Sequence, residues 1–123
     1  MSEAFFRGYY EAYNSADETK LAPFLADDVV LTSAQGVQHG KEAYLATYRQ
    51  IISAFSDQMT PDKIAVDGNK ATVHITDRFT ALADVADFLG QSFAKGQGFT
   101  LKLIGGYEVR EGKIAKIDIQ IIG

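Results

Sequence analysis

Asp77 interrupts a face that is otherwise apolar. Residues 70–82 read Lys-Ala-Thr-Val-His-Ile-Thr-Asp-Arg-Phe-Thr-Ala-Leu. A period of two places Ala71, Val73, Ile75, Asp77, Phe79 and Ala81 on one face of a strand, and Thr72, His74, Thr76, Arg78 and Thr80 on the other. Burying an isolated ionised carboxylate is prohibitively costly, so a carboxyl in this position is paired, neutral, or lines a cavity. Beside Val73, Ile75 and Phe79, desolvation raises its pKa toward the range in which a general acid or base works near neutrality. Tyr9, Tyr13 and Tyr107 are the hydroxyl-bearing candidates to hydrogen-bond it. The structural alternatives are a β-bulge that reverses parity and exposes Asp77, or a bond from Asp77 to loop or helix-end backbone.

Other residues with chemical capacity are less suggestive. His39 directly precedes Gly40 and a helix start, and reads as a turn or cap neighbour; His74 belongs to the polar face. Two distant histidines without close carboxylate spacing do not form a metal motif, so neither metal nor cofactor is expected. Gly96-Gln97-Gly98 and Gly105-Gly106 do not lead a strand into a helix as phosphate loops do. They read as bends. No Gly-x-Ser-x-Gly nucleophile elbow occurs.

The elements that must position Asp77 follow from periodicity. Phe6, Tyr9, Tyr10 and Tyr13 have the i, i+3, i+4, i+7 spacing of a helix face, predicting a helix over residues 2–14. Ser15 and Glu18 have capping-box spacing and predict a short second helix, interrupted at Pro23. Val29-Val30-Leu31-Thr32 reads as a short strand, and Gly36 and Gly40 bracket an irregular connection. Tyr44, Tyr48, Ile51, Ile52 and Phe55 form the stripe of a third helix over residues 41–55.

From residue 59 strands dominate, with hairpin signals at Asp67-Gly68-Asn69 and Glu111-Gly112. Phe99, Leu101, Leu103, Tyr107 and Val109 share one strand face, and Ala115, Ile117, Ile119 and Ile121 share another. Residues 84–98 hold Val85, Phe88, Leu89 and Phe93 at roughly helical spacing among glycines. This insertion either closes over a pocket or forms a small satellite core. Helices followed by strands predict an α+β domain: a curved antiparallel sheet wrapped around the N-terminal helices as a cone-shaped barrel with an internal pocket.

The 123 residues suit one domain spanning 1–123, and 46% hydrophobic with 23% charged residues is ordinary globular composition. No cysteine is present, which removes disulfides, thiol nucleophiles and thiolate metal sites. Glu3 and Arg7 break the apolar character of the N-terminal segment, and no later stretch has the length of a membrane span. The expected location is cytoplasmic. A net charge of -4 with scattered Lys and Arg argues against nucleic-acid and membrane partners.

In this order, four fragments resemble the nuclear transport factor 2-like cone fold. They are Tyr13-Asn14-Ser15-Ala16-Asp17, Phe24-Leu25-Ala26-Asp27-Asp28-Val29-Val30, His39-Gly40-Lys41-Glu42-Ala43, and Glu111-Gly112-Lys113-Ile114. That superfamily includes ketosteroid isomerases, SnoaL-like polyketide cyclases, limonene epoxide hydrolases and dehydratases. The resemblance covers nearly the whole chain and implies a closed-ended pocket and a homodimer through the outer sheet face. Matched to the isomerases, Tyr9 takes the position of the tyrosine that donates to the oxyanion. The isomerase base falls on Ser33, and its protonated aspartate falls near Gly105, so steroid isomerisation by that constellation is not expected. Asp77 and Arg78 are adjacent rather than two apart, which departs from the epoxide hydrolases. SnoaL-like cyclases use a sheet-borne acid or base beside a carbonyl, a role open to Asp77.

The expected function is therefore an isomerase, cyclase or dehydratase type of proton transfer on a hydrophobic carbonyl compound, with Asp77 as the catalytic base and Tyr9 as the catalytic tyrosine that steadies the oxyanion. Tyr13, Ser33, Tyr48, Phe79, Phe88, Phe93 and Tyr107 are the expected substrate contacts. The alternatives are a non-catalytic binding protein for a hydrophobic small molecule and a dimeric interaction module.

Overall fold

The computed structural model of the protein describes residues 2–123; Met1, part of the expected domain, lies outside the described residues. Helix α1 spans Glu3–Asn14, with the Ser2 side chain accepting from the Phe5 amide at its start. This bond satisfies one of the free donors of the first turn. The short α2, Glu18–Leu21, is capped by Asp17, which accepts from the Thr19 amide. Ser15, the predicted cap, instead donates to the Ala12 carbonyl and closes α1. Ala22–Phe24 form a 3-10 turn containing Pro23, and α3 covers Lys41–Ala54.

The strands are β1 (Leu25–Ser33), β2 (Gly36–His39), β3 (Phe55–Asp67), β4 (Lys70–Ala81), β5 (Val85–Phe88), β6 (Gln91–Phe93), β7 (Gly98–Arg110) and β8 (Lys113–Ile121). Six of them make one sheet in the order β2-β1-β8-β7-β4-β3. Its end strands are not paired to each other, so the cone is open rather than a closed barrel. The β1–β8 pair is parallel, while the other ladders are antiparallel.

Several local expectations change. The connection after Gly36 is a strand, because residues 36–39 pair with β1. The helical spacing seen around Phe88 belongs to the β5–β6 hairpin, which turns at Leu89-Gly90. Short apolar runs do not distinguish the two periods. In β8, the register shifts between Glu108–Lys116 and Val109–Ile114, leaving Ala115 as the extra residue. Ile114 and Ile117 are both fully buried as a result, where strict alternation had paired Ile117 with Ala115. Pro61 sits on β3, an edge strand beside a bulge, where its missing amide proton does no harm.

The core has two parts. Phe6, Tyr9, Tyr10 and Tyr13 of α1, with Tyr44, Leu45 and Tyr48 of α3, pack on Val73, Ile75, Leu103 and Tyr107 of the sheet. A phenylalanine cluster of Phe55, Phe79 and Phe93, with Phe88 and Phe99 packed against it, fills the other end. Phe79 and Phe99 stack at 4.6 Å. Along β4 the boundary falls between Ile75 and Phe79, at Asp77. No helix of the described residues is long and apolar enough to cross a membrane.

Candidate functional site

Two carboxyl groups meet at that boundary. In the β3–β4 ladder, Met59 lies opposite Asp77 and Asp57 lies opposite Phe79. Asp57 and Asp77 are thus diagonal neighbours on the inward face, about 7–8 Å apart at the backbone, which leaning side chains can close. Asp57 is 4% exposed and Asp77 2%, and the two carboxyls are close enough for a hydrogen bond between them to shift the pKa of each. Carboxylates contain no donor, so this bond requires a proton on one of them. The Oδ1 atoms of both groups are buried without a hydrogen-bond donor among the described residues.

Helix α1 holds the pair from the other side. The Tyr13 hydroxyl donates to Asp57 Oδ2 at 2.7 Å, and the Tyr48 hydroxyl donates to the Tyr13 carbonyl at 2.6 Å. Asn14 clamps the helix end to β3: its Nδ2 donates to the Met59 carbonyl at 2.8 Å, and its Oδ1 accepts from the Met59 amide at 2.7 Å. Tyr13 and Asp57 are therefore positioned by backbone on both sides.

Burial raises the pKa of Asp77, and the hydrogen bond and charge of Asp57 raise it further. Burial also raises Asp57, but donation from Asp77 and Tyr13 works against it. The shared proton consequently rests on Asp77 and the negative charge on Asp57. Burial, with the charge of Asp57 adding to it, lifts Tyr13 well above the ordinary tyrosine value, so it stays a neutral donor.

Two buried tyrosine pairs tie α1 to α3 and to the sheet. The Tyr9 and Tyr44 hydroxyls lie 2.6 Å apart, and those of Tyr10 and Tyr107 2.5 Å apart. Each pair has two hydroxyl protons and one mutual bond, so one proton per pair is left without an acceptor among the described residues. Gly105 gives Tyr107 its place. A Cβ there would stand 2.7 Å from the Tyr107 ring and 3.0 Å from its hydroxyl.

Asp57, Asp77 and all of these tyrosines except Tyr10 border a cavity of about 100 Å³. Of the sequence-predicted residues, Tyr9, Tyr13, Ser33, Tyr48, Asp77, Phe79, Phe88 and Tyr107 line it. Phe93 does not. It stacks on Phe99 at 4.6 Å and supports the phenylalanine cluster from behind. Asp57 and Tyr44 also line the cavity and carry no site signal of their own in the sequence. Tyr44 lies on the predicted α3 stripe. Asp57 falls where α3 is expected to end and strands to begin, but Phe55 already opens β3. Starting the alternation there puts Phe55, Asp57 and Met59 on one face, which is the signal that finds Asp57.

The architecture is that of the nuclear transport factor 2-like, ketosteroid isomerase-like α+β fold. A candidate polyketide cyclase from Xanthomonas campestris pv. campestris matches with TM-score 0.82 at 22% identity, over 94% of this chain and 86% of that one. AclR, a candidate hydroxylase from Streptomyces galilaeus, matches with TM-score 0.79 at 18% identity, over 98% and 87%. A nuclear transport factor 2-like protein of unknown function from Burkholderia pseudomallei matches with TM-score 0.78 at 22% identity, over 99% and 92%. Within this fold, the chain belongs to the SnoaL-like domain family, whose model matches residues 6–117. No curated protein matches the chain in sequence.

Proposed function

We propose that this SnoaL-like protein is a small-molecule enzyme that transfers a proton beside the carbonyl group of a hydrophobic compound. The observation that carries this reading is the buried Asp57–Asp77 pair, set diagonally on one sheet face and lining an apolar cavity. Asp57, holding the charge, takes a proton from the carbon next to the carbonyl. The C–H electron pair becomes the enol double bond, and the carbonyl oxygen receives the proton of Asp77. Asp57 is then neutral and Asp77 charged, so the pair keeps one negative charge throughout and the bound molecule stays neutral. Return of the proton to a different carbon is an isomerisation. Attack of the enol carbon on a second carbonyl is a cyclisation, and loss of a neighbouring hydroxyl as water is a dehydration.

This division makes Asp77 the acid and Asp57 the base, because Asp77 is the member that retains its proton. Tyr9, through the spare proton of its pair with Tyr44, supports the oxygen as negative charge develops there. Likeness to a candidate polyketide cyclase supports the reaction class. A homodimer through the outer sheet face belongs to the same reading, and a monomer in sedimentation across working concentrations would contradict it.

Exchange of the α-protons of 2-tetralone into D2O, followed by NMR, tests the chemistry on a simple hydrophobic ketone, whatever the natural substrate. The wild type should accelerate exchange, and Asp57→Asn should lower the rate by about 10²–10⁴-fold. Exchange no faster than in buffer, or an unchanged rate in Asp57→Asn, rejects the reading.

A further inference from the structure

We infer that the cavity selects by charge: it takes uncharged molecules that bring a hydrogen-bond acceptor to its inner end, and excludes carboxylates, phosphates and ammonium ions of the same shape. The inference deepens the reading above and rests on the same cavity, but it concerns binding and does not require turnover. Two independent features carry it.

The first is charge. Asp57 and Asp77 line the cavity, and among the described residues no Lys, Arg or His side chain does. Arg7, Lys41, Arg49 and Arg110 are engaged elsewhere, with Glu3, Asp27, Glu18 and Asp28 respectively. An anion entering this space would place a second negative charge beside the pair without a compensating cation, in surroundings that screen poorly. A neutral molecule leaves the charge of the site as it is.

The second is hydrogen-bond capacity. The Tyr9–Tyr44 and Tyr10–Tyr107 pairs each hold a hydroxyl proton without an acceptor, and Tyr9, Tyr44 and Tyr107 line the cavity. A buried donor without a partner is costly, so these positions call for an acceptor on the ligand. An ammonium ion balances the carboxylate charge but offers only donors, and leaves the tyrosine protons unmatched. The remaining wall, including Leu31, Ile51, Leu101 and Ile119, suits a hydrocarbon body. Ketones, esters, lactones, quinones and tertiary amides meet both conditions. Free acids, acyl phosphates and amines do not.

Binding of methyl benzoate, benzoate and benzylamine, measured by ligand-observed NMR and calorimetry at about pH 7.5, tests this on the intact protein. The ester should bind, with benzoate and benzylammonium each weaker by about tenfold or more. Equal or tighter binding of benzoate overturns the inference, as does benzylammonium binding most tightly or absence of binding by the ester. In the Asp57→Asn/Asp77→Asn variant, discrimination against benzoate should collapse. Full discrimination in a folded double variant would show that the acid pair is not the filter. If that variant does not fold, the wild-type comparison alone decides. The two readings can fail separately: ester selectivity without α-proton exchange removes the enzyme and leaves the charge filter, and exchange without selectivity does the reverse.

Discussion

Asp57 and Asp77 are useful together because neither environment would suit both ions. Burial penalises charge on each, and sharing one proton reduces the buried charge to one. This arrangement has a cost in stability with a definite sign. A carboxyl whose pKa is raised on folding binds its proton more tightly in the native state than in the unfolded chain. The native protein then holds more protons above the unfolded value of about 3.9, and stability falls as pH climbs from there through the raised folded value. Denaturation midpoints between about pH 5 and pH 8 should decline for the wild type, and Asp77→Asn should flatten that decline. An equal decline in the variant would remove Asp77 as its source. Tyr13 acts in the opposite sense, since its hydroxyl lowers the pKa of Asp57. Tyr13→Phe should therefore shift the acid limb of the exchange-rate profile to higher pH, while lowering stability by about 1–3 kcal/mol for the buried acceptor left behind. An unmoved limb would separate Tyr13 from the base.

At the scale of elements, the placement of these groups depends on ladder register and on two departures from regularity. The β3–β4 register brings Asp57 diagonally beside Asp77. A shift of one residue would turn one carboxyl to the outer face. The bulge at Ala115 turns both Ile114 and Ile117 inward beneath the helices. On β7, Gly105 leaves room for the Tyr107 ring of the same strand. Gly105→Ala should destabilise the fold by about 1–3 kcal/mol, because the methyl group overlaps a buried ring with little freedom to move. Combining it with Tyr107→Ala should give less than the sum of the two losses, since removal of the ring relieves the overlap. Additive losses in denaturant titrations would place the strain elsewhere.

Across the whole molecule, the cavity draws its wall from residues as far apart as Tyr9 and Ile121. Its Ser33-Ala34-Gln35 side comes from the β1–β2 turn, and its Phe88-Leu89 side from the β5–β6 hairpin. Leu89 is 43% exposed and sits at φ 53, a left-handed conformation that is costly for a side chain with a Cβ. Such a turn is a low-stability unit that an occupied cavity can reinforce. Saturating methyl benzoate should slow amide hydrogen exchange in residues 85–93 relative to the outer-face strand positions. Protection unchanged in that hairpin would mean that it does not respond to occupancy.

The chain by itself determined the helices, the hairpins at Asp67-Gly68-Asn69 and Glu111-Gly112, the α+β arrangement and the inward face carrying Asp77, because each is written in a local period or turn signal. It also determined which tyrosines face the core, since their spacing on α1 and α3 is helical. Tertiary structure decided the partners. Tyr9 binds Tyr44, Tyr10 binds Tyr107, and Asp77 meets Asp57 rather than a tyrosine. Those pairings join positions up to 97 residues apart, and periodicity carries no information about which inward-facing groups end within hydrogen-bond distance. Phe88 and Phe93 separated for the same reason: one hairpin presents the first to the cavity and turns the second into the phenylalanine cluster. Asp57 was legible only once Phe55 was known to begin a strand, a boundary set by pairing with Ala81 across the ladder.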